Sequence, residues 1–523
     1  MPVATIAPPI DSLDPATGEV IARFATTSPG EVPRIVERAR RVQAEWAEKP
    51  IRERCAQLRR LGEVLYARRQ EIADLVTRET GKPRVEALFA DVLISLGAAG
   101  YYAKRAARML KPKRVPHHNP AVKAKSGWLC YEPYGVIAVI SPWNYPLAIP
   151  LAEMVPAVVA GNAVVLKPSE LTPWCGAMIE EFFAQAGFPS RLVQVIQGGG
   201  EVGAALVEAA PDKVVFTGSA AAGKSVAEAC ARRLIPSVLE LGGKDAMIVL
   251  ADADAEVASS AAVWGSFNNC GQACLSVERI YVERPIAEQF SQRCVEKTRR
   301  LKLGPGSDPD TEVGPMIRVS QLERVEEQLR DAVARGARVL TGGHRRPDLG
   351  PCYFEPTVVA DVDHSMRLMQ EETFGPVLAL RAVENVDEAV AMANDSPFGL
   401  AASIWTCDAR RGRELAGRIK TGAVMVNDVA SYYGICEAPH GGRGASGWGR
   451  VHSRLGLLEM VQVKYLDVDK LPRWPKSWWF GYDETLRVAA DRFCEFLFAP
   501  RWRQRWSRSF DALRRNLFRG HRV

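Results

Sequence analysis

The residues Gly218-Ser219-Ala220-Ala221-Ala222-Gly223-Lys224-Ser225 match the phosphate-loop spacing GxxxxGK[ST] in full. Such a loop wraps phosphates with backbone N–H groups and sets its lysine on them. The apolar run 247–250 before Asp252 even imitates the acidic strand that accompanies a phosphate loop. A second cluster, Gly198-Gly199-Gly200-Glu201-Val202-Gly203, fits the dinucleotide spacing GxGxxG. That fingerprint also requires a carboxylate at the end of the next strand. The strand expected here ends on Phe216-Thr217, which offers none. A tight strand-to-helix turn explains the second cluster without a ligand. Ala-rich helix starts produce the first by chance, so a nucleotidase and a bland helix start compete for it.

The eleven cysteines are scattered, with no CxxC and no HxxxH pair. No metal site is expected from them. Unpaired cysteines suit a reducing compartment, so a cytoplasmic location is expected. Residues 1–9 have neither a basic start nor a long apolar core, and no signal peptide is expected.

The elements that must position these loops are short apolar runs alternating with helical segments. The runs are 136–140, 163–166, 192–196, 213–216, 237–239 and 246–250, and a second series follows at 279–282, 377–380, 402–406 and 424–426. Such alternation implies parallel sheets covered by helices, an α/β fold. Chemistry in such sheets collects in loops beyond the carboxyl ends of the strands. Those loops read Ser141-Pro142-Trp143-Asn144, Lys167-Pro168-Ser169-Glu170, Thr217-Gly218-Ser219 and Glu240-Leu241-Gly242-Gly243. Upstream, 29–49 and 51–79 read as helical stretches. Residues 147–166 are apolar over a membrane-spanning length but hold Glu153, Pro150, Pro156, Gly161 and Asn162. The expectation is therefore a buried helix, a turn and a strand. At 523 residues the chain exceeds one compact core, so two large domains are expected, with a small third.

Three phrases carry a resemblance. They are Ser141-Pro142-Trp143-Asn144-Tyr145-Pro146, Leu239-Glu240-Leu241-Gly242-Gly243-Lys244 and Phe267-Asn268-Asn269-Cys270-Gly271-Gln272-Ala273-Cys274. In order and spacing they resemble the three signature segments of the aldehyde dehydrogenase superfamily. Lys167-Pro168-Ser169-Glu170, Phe216-Thr217-Gly218-Ser219 and Glu371-Glu372-Thr373-Phe374-Gly375-Pro376 look like its cofactor loops. The similarity runs from about Asp14 to about Leu466.

The resemblance implies NAD-linked oxidation of an aldehyde to a carboxylic acid. A trigonal carbonyl carbon is a poor hydride donor. Thiolate addition gives a tetrahedral thiohemiacetal that expels hydride readily, and water then cleaves the resulting thioester. This route needs a thiolate, a donor for the oxyanion and a base for the water. The resemblance assigns these to Cys274, Asn144 with the Cys274 backbone N–H, and Glu240. Outside these phrases, Cys274 would read as a structural thiol, Asn144 as a turn residue and Glu240 as a surface carboxylate. Cys270, four residues before the nucleophile, is read as structural.

By the same resemblance, Lys167 and Glu170 hydrogen-bond the adenosine ribose, and Trp143 contributes to the cofactor site. Gly218, Ser219 and Gly223 lie at a helix N-terminus facing the pyrophosphate, which is a third reading of the phosphate-loop pattern. Glu372 takes the nicotinamide ribose and Phe374 packs by the nicotinamide. A carboxylate at Glu170 repels a 2′-phosphate, so NAD is favoured over NADP. The implied fold is a Rossmann-like cofactor domain (1–113 and 133–242), an α/β catalytic domain (243–445) and a small β oligomerisation element (114–132 and 455–470). A homodimer or homotetramer is implied. The phrase Pro439-His440-Gly441-Gly442 departs from the family's Pro-Phe-Gly-Gly by its histidine. Leu275-Ser276 after the nucleophile lacks the second cysteine of many succinic semialdehyde enzymes. A catalytically silent scaffold is the other alternative, opposed by the intact Cys274, Glu240 and Asn144.

The remainder, 471–523, is a basic appendage with 12 Lys+Arg against 5 Asp+Glu, while the rest of the chain balances at 56 each. The body's charge therefore gives no ground for nucleic acid binding. Leu486, Ala490, Phe493 and Leu497 line one helical face, and Trp502, Trp506, Phe510, Leu513 and Leu517 line another. Trp474, Trp478 and Trp479 precede both. A helix pair packed on the body or on another subunit, a basic amphipathic helix lying flat on an anionic membrane, and disorder are the three expectations.

Overall fold

A computed structural model describes residues 8–119, 122–474, 476 and 478–498. The chain divides into a larger unit, Met1–Lys111 with Glu132–Gln462, and a smaller one, Pro112–Tyr131 with Val463–Val523.

The larger unit holds two big sheets. Val136–Ile140 is buried at every residue, because parallel strands covered by helices lose both faces to the core. It pairs in parallel with Ala163–Lys167 on one side and Lys213–Thr217 on the other. Val193–Val195 extends the sheet beyond the former, and Ser237–Glu240 beyond the latter. A two-residue strand, Gly447–Trp448, closes that edge antiparallel, with Gly447 opposite Glu240. Successive strands thus step away from Val136–Ile140 in both directions. The loops after it and after Lys213–Thr217 diverge at this switch point and leave a crevice between them.

The second sheet has seven strands in the order Arg338–Thr341, Thr357–Ala360, Val377–Val383, Val277–Glu283, Asp245–Val249, Ala401–Trp405 and Ala423–Val426. All its pairings are parallel except the first. The residues 147–166 form a wholly buried helix, Ala148–Ala160, and the strand Ala163–Lys167. The stretch 51–79 differs from the sequence expectation. It is two helices, Ile51–Ala67 and Arg69–Thr80, broken at Arg68 (φ −94°, ψ 8°). Neither glycine nor proline marks the break. Arg338–Thr341 and Thr357–Ala360 are two further strands that fall on none of the apolar runs read from the sequence.

The smaller unit is built on a three-stranded sheet in which Lys125–Pro133 lies between Val461–Asp469 and Lys113–Val115. Lys125 pairs with Asp467 at 2.5 Å. The helix Glu484–Phe498 carries the stripe read from Leu486, Ala490, Phe493 and Leu497, and none of its residues is buried. The second stripe, Trp502 to Leu517, lies outside the described residues.

Candidate active site

A cavity of about 310 Å³ opens at the switch point. Trp143 and Asn144 enter it from the loop after Val136–Ile140, Gly218 and Ser219 from the loop after Lys213–Thr217, and Glu240 from the end of its strand. Cys274, Glu372 and Phe374 line it from the second sheet's connections. Of the eleven residues singled out in the sequence, eight therefore share one cavity. Lys167, Glu170 and Gly223 are not among its lining residues. Lys167 and Glu170 pair with each other at 3.1 Å. Gly223 is buried one turn into the helix Ala220–Arg232, where a Cβ would meet Leu241 Cδ2 at 2.4 Å.

That helix excludes a phosphate loop. It begins at Ala220, capped by Ser219 Oγ on Ala222 N–H, so the residues that would wrap a phosphate are already helical. Lys224 is exposed and does not line the cavity. Asp252 accepts from Thr406 Oγ1 at 2.7 Å, also away from the cavity. The glycines at 198–203 form the tight turn into Gly200–Glu208.

Cys274 follows three consecutive residues with left-handed backbone: Asn269 (φ 50°), Cys270 (φ 55°) and Gly271 (φ 70°). Two of them are not glycine, and each such residue costs about 1–3 kcal/mol unless its surroundings impose it. Here they do. Asn269 Nδ2 donates to Asn144 O at 3.0 Å and to Gln272 O at 3.1 Å. Asn269 N–H donates to Glu86 Oε2 at 3.0 Å, and Ile317 N–H donates to Gln272 Oε1 at 2.9 Å. At Gly271 a Cβ would lie 2.1 Å from Gly375 O, so only glycine fits.

Asn144 is held in turn by a buried ion pair that the sequence did not reveal. Lys82 Nζ lies 2.9 Å from Asp91 Oδ2, with both side chains fully buried. Lys82 Nζ also donates to Asn144 O at 2.7 Å, and Asp91 Oδ1 accepts from Leu147 N–H and Ala148 N–H. Losing one partner of such a pair costs about 3–5 kcal/mol, because a bare charge is left behind. The Asn144 amide donates one hydrogen to Gln272 O at 3.0 Å. An amide carries two, so this bond orients the second.

A second buried pair fixes the loop bearing Glu372 and Phe374. Lys244 Nζ sits 2.5 Å from Glu278 Oε2. Glu278 accepts from Thr373 N–H at 2.8 Å and Phe374 N–H at 3.0 Å. Glu372 Oε1 accepts from Gly243 N–H at 3.0 Å, and the Phe374 ring meets Trp143 edge-on at 5.5 Å.

The electrostatics are those of a dry, acid-rich pocket. Burial, reinforced by Asp245, Glu372 and Glu240, pushes the Cys274 thiol far up, so it rests protonated. Burial also pushes Glu240 well above the usual carboxylate range, with Glu153 adding to the shift and Arg450 opposing it. Both Glu240 carboxylate oxygens are buried without a hydrogen-bond partner. Glu153 is raised to about 8 by burial, against donation from Thr217 and Ser141. Glu372 is raised to about 7 by burial and Glu278. Cys270 is buried and off the cavity, as a structural thiol should be. Tyr433, His440 and Val451 complete the wall. His440 was visible in the sequence as a departure; Tyr433 had no signal.

The aldehyde dehydrogenase family model matches residues 4–466. The chain is 39% identical over 447 residues to a putative succinate-semialdehyde dehydrogenase [NADP(+)] 2 of Mycobacterium tuberculosis, covering 85% of this chain and 86% of that one. It is 38% identical over 491 residues to a 4,4′-diapolycopene aldehyde oxidase of Methylomonas sp, covering 94% and 91%. A putative aldehyde dehydrogenase from Burkholderia cenocepacia superposes with a TM-score of 0.86 at 34% identity, over 90% and 95% of the two chains. Betaine aldehyde dehydrogenase from Staphylococcus aureus in complex with NAD+ superposes at 0.85 and 32%, over 90% and 94%.

Proposed function

Because the chain belongs to the aldehyde dehydrogenase family, we propose that it oxidises an aldehyde through a thioester on Cys274, with Glu240 activating the water that releases the acid. The observation that carries this reading is the meeting of Asn144, Glu240, Cys274 and Glu372 in one cavity.

Cys274 gives up its proton to solvent water in the open cavity and adds to the carbonyl carbon as the thiolate. The second Asn144 N–H and the Cys274 backbone N–H receive the oxyanion. The thioester is then cleaved by water whose proton passes to Glu240, and the thiolate leaves. The cavity fits a dinucleotide: Gly218 and Ser219 bring the N-terminus of the 13-residue helix Ala220–Arg232 to one wall, where backbone donors favour a pyrophosphate. Glu372 would hold the nicotinamide ribose, with Phe374 and Trp143 beside the ring and Gly223 giving the helix its close approach. NAD or NADP supplies the hydride acceptor.

Of the two, we favour NAD. Lys167 and Glu170 would take the adenosine ribose. Burial opposes ionisation of Glu170, but Lys167 and Arg318 hold it below the usual carboxylate range. An ionised carboxylate there repels a 2′-phosphate. The test is reduction of NAD and NADP by wild type and Glu170→Ser over short, long and aromatic aldehydes. Wild type is expected to prefer NAD, and the variant to move the kcat/KM ratio toward NADP by about tenfold or more. An unmoved ratio removes Glu170 as the discriminator, and no reduction with any aldehyde contradicts the activity.

For the assembly, the strand Val461–Asp469 supports a homo-oligomer, dimer or tetramer, since it is a sheet edge with Val463, Tyr465, Leu466 and Val468 exposed. A second reading concerns where the enzyme works. All eleven cysteines are free, which suits the cytoplasm. Trp474, Trp478, Trp479, Phe480 and Tyr482 are exposed in the basic appendage. The match to the diapolycopene aldehyde oxidase is too long to stop before Leu471. These observations favour peripheral contact with an anionic membrane and an apolar aldehyde on a hydrocarbon stem. The full chain is expected to sediment with anionic liposomes at low salt, and less so after Trp478→Ala and Trp479→Ala. Equal, negligible sedimentation of both leaves the appendage a packing role.

A further inference from the structure

The Glu240 carboxylate has no hydrogen-bond donor of its own, and one neighbouring side chain is built to supply it. His440 Nε2 lies 3.7 Å from Glu240 Oε2. His440 Nδ1 lies 2.7 Å from the Tyr432 hydroxyl. The backbone of His440 is pinned on both sides, its N–H donating to Val451 O at 3.0 Å and its carbonyl accepting from Val451 N–H at 2.9 Å. At the next residue, Gly441, a Cβ would lie 2.8 Å from Glu240 Oε1, so this segment is pressed against the carboxylate.

We propose that His440 is a positioning residue for Glu240, donating an Nε2–H hydrogen bond to its carboxylate in a tautomer set by Tyr432. The proposal rests on the thioester reading above.

The tautomer follows from polar satisfaction. Tyr432 is buried, and among the described residues its hydroxyl has no hydrogen-bond partner but His440 Nδ1. Were Nδ1–H the donor, the phenolic hydrogen would be left buried and unmade, at about 1–3 kcal/mol. The hydroxyl therefore donates to Nδ1, and the ring proton sits on Nε2. Burial, His452 and Arg450 push the ring down to about 3, so it is neutral at working pH and carries that single proton. Catalytic hydrogen bonds are often long in the free enzyme and shorten when the site is filled. Closing 3.7 Å to bonding length requires a shift of roughly half an ångström.

The other groups around Glu240 do not replace this donor. Glu153 adds negative potential, as does Glu459. Arg450 favours the ionised form by its charge, but its guanidinium donates to Gly442 O at 3.2 Å and to Gly449 O. Cys274 and Asp245 are neutral or acidic, Tyr433 stacks edge-on against the His440 ring, and His452 is held neutral by burial, at about 4. In the deacylation step the water's proton passes to Glu240, its oxygen bonds the acyl carbon, and the carbon–sulfur bond breaks. His440 keeps its proton throughout and exchanges none.

A donor to the carboxylate favours its ionised form, so removing it raises the pH at which Glu240 begins to act. The experiment measures kcat against pH, together with the pre-steady-state NADH burst, in His440→Phe, His440→Gln and Tyr432→Phe. His440→Phe is expected to move the acid limb of kcat up by about one pH unit, a tenfold loss of kcat on that limb, while a burst near one equivalent persists. His440→Gln, whose amide can donate, should recover part of the shift. Tyr432→Phe should shift the limb in the same direction by less, because the ring then samples both tautomers. If His440→Phe does not yield soluble protein, the Tyr432→Phe limb decides alone. Limbs coincident with wild type overturn the proposal. So does parallel loss of burst and turnover, which marks a merely structural role. Failure of the underlying reading looks different: wild type would then show no deacylation step that Glu240→Gln slows.

Discussion

Replacing Cys274 with alanine is expected to lower dehydrogenase turnover by more than about three orders of magnitude, leaving the fold and dinucleotide binding intact. The sulfur is the only atom removed, and without it no tetrahedral adduct forms. Hydride would then have to leave a trigonal carbon, which is the difficulty the thiol exists to avoid. The left-handed stretch at 269–271 is fixed by Asn269, Gln272 and Gly271 rather than by the thiol. Unfolding midpoints should therefore move little, and titration with NAD should still quench protein fluorescence. Turnover near the wild-type rate would remove Cys274 from the chemistry.

The second large effect separates two half-reactions. In Glu240→Gln, hydride transfer proceeds and water attack does not. Stopped-flow traces should show one equivalent of NADH formed quickly, followed by turnover slower by roughly 10²–10⁴-fold. The sign of the pH dependence follows from the environment of Glu240. Burial raises its pKa well above the usual carboxylate range. As a base it works only when ionised, so wild-type deacylation should grow as pH rises through that raised value. The variant should lack this limb. Unchanged steady-state turnover at neutral pH would contradict the role.

The parts of the fold that were legible share a cause. Strands such as Val136–Ile140 and, after its leading aspartate, Asp245–Val249 are buried on both faces, and so appear as apolar runs. The edge strand Arg338–Thr341 is half exposed and carries no such run. Gly447–Trp448 is a two-residue pairing fixed by its partner Ser237–Glu240, which no local pattern announces. In the site, Asn144, Glu240 and Cys274 could be read only through the resemblance of the phrases around them to the family's signature segments; by themselves they are a turn residue, a carboxylate at a strand end and one thiol among eleven. What holds them could not. Lys82 and Asp91 are ordinary charged residues in sequence, and only folding reveals them as a dry ion pair gripping the Asn144 loop. The competing phosphate-loop pattern was equally plain, and failed because its middle residues are helical. His440 showed itself only as an exception, and its meaning depends on Tyr432 and Glu240 reaching it from other segments.

The central claim is a covalent acyl group on Cys274 that Glu240 is needed to release. Glu240→Gln mixed with NAD and an oxidisable aldehyde, quenched in acid after the burst and measured as intact protein, tests it most directly. The expected result is a mass increase equal to the acyl group, at about one per subunit, removed by hydroxylamine and mapped by digestion to the peptide bearing Cys274. One equivalent of NADH with no adduct, or an adduct on any of the other ten cysteines, would contradict it.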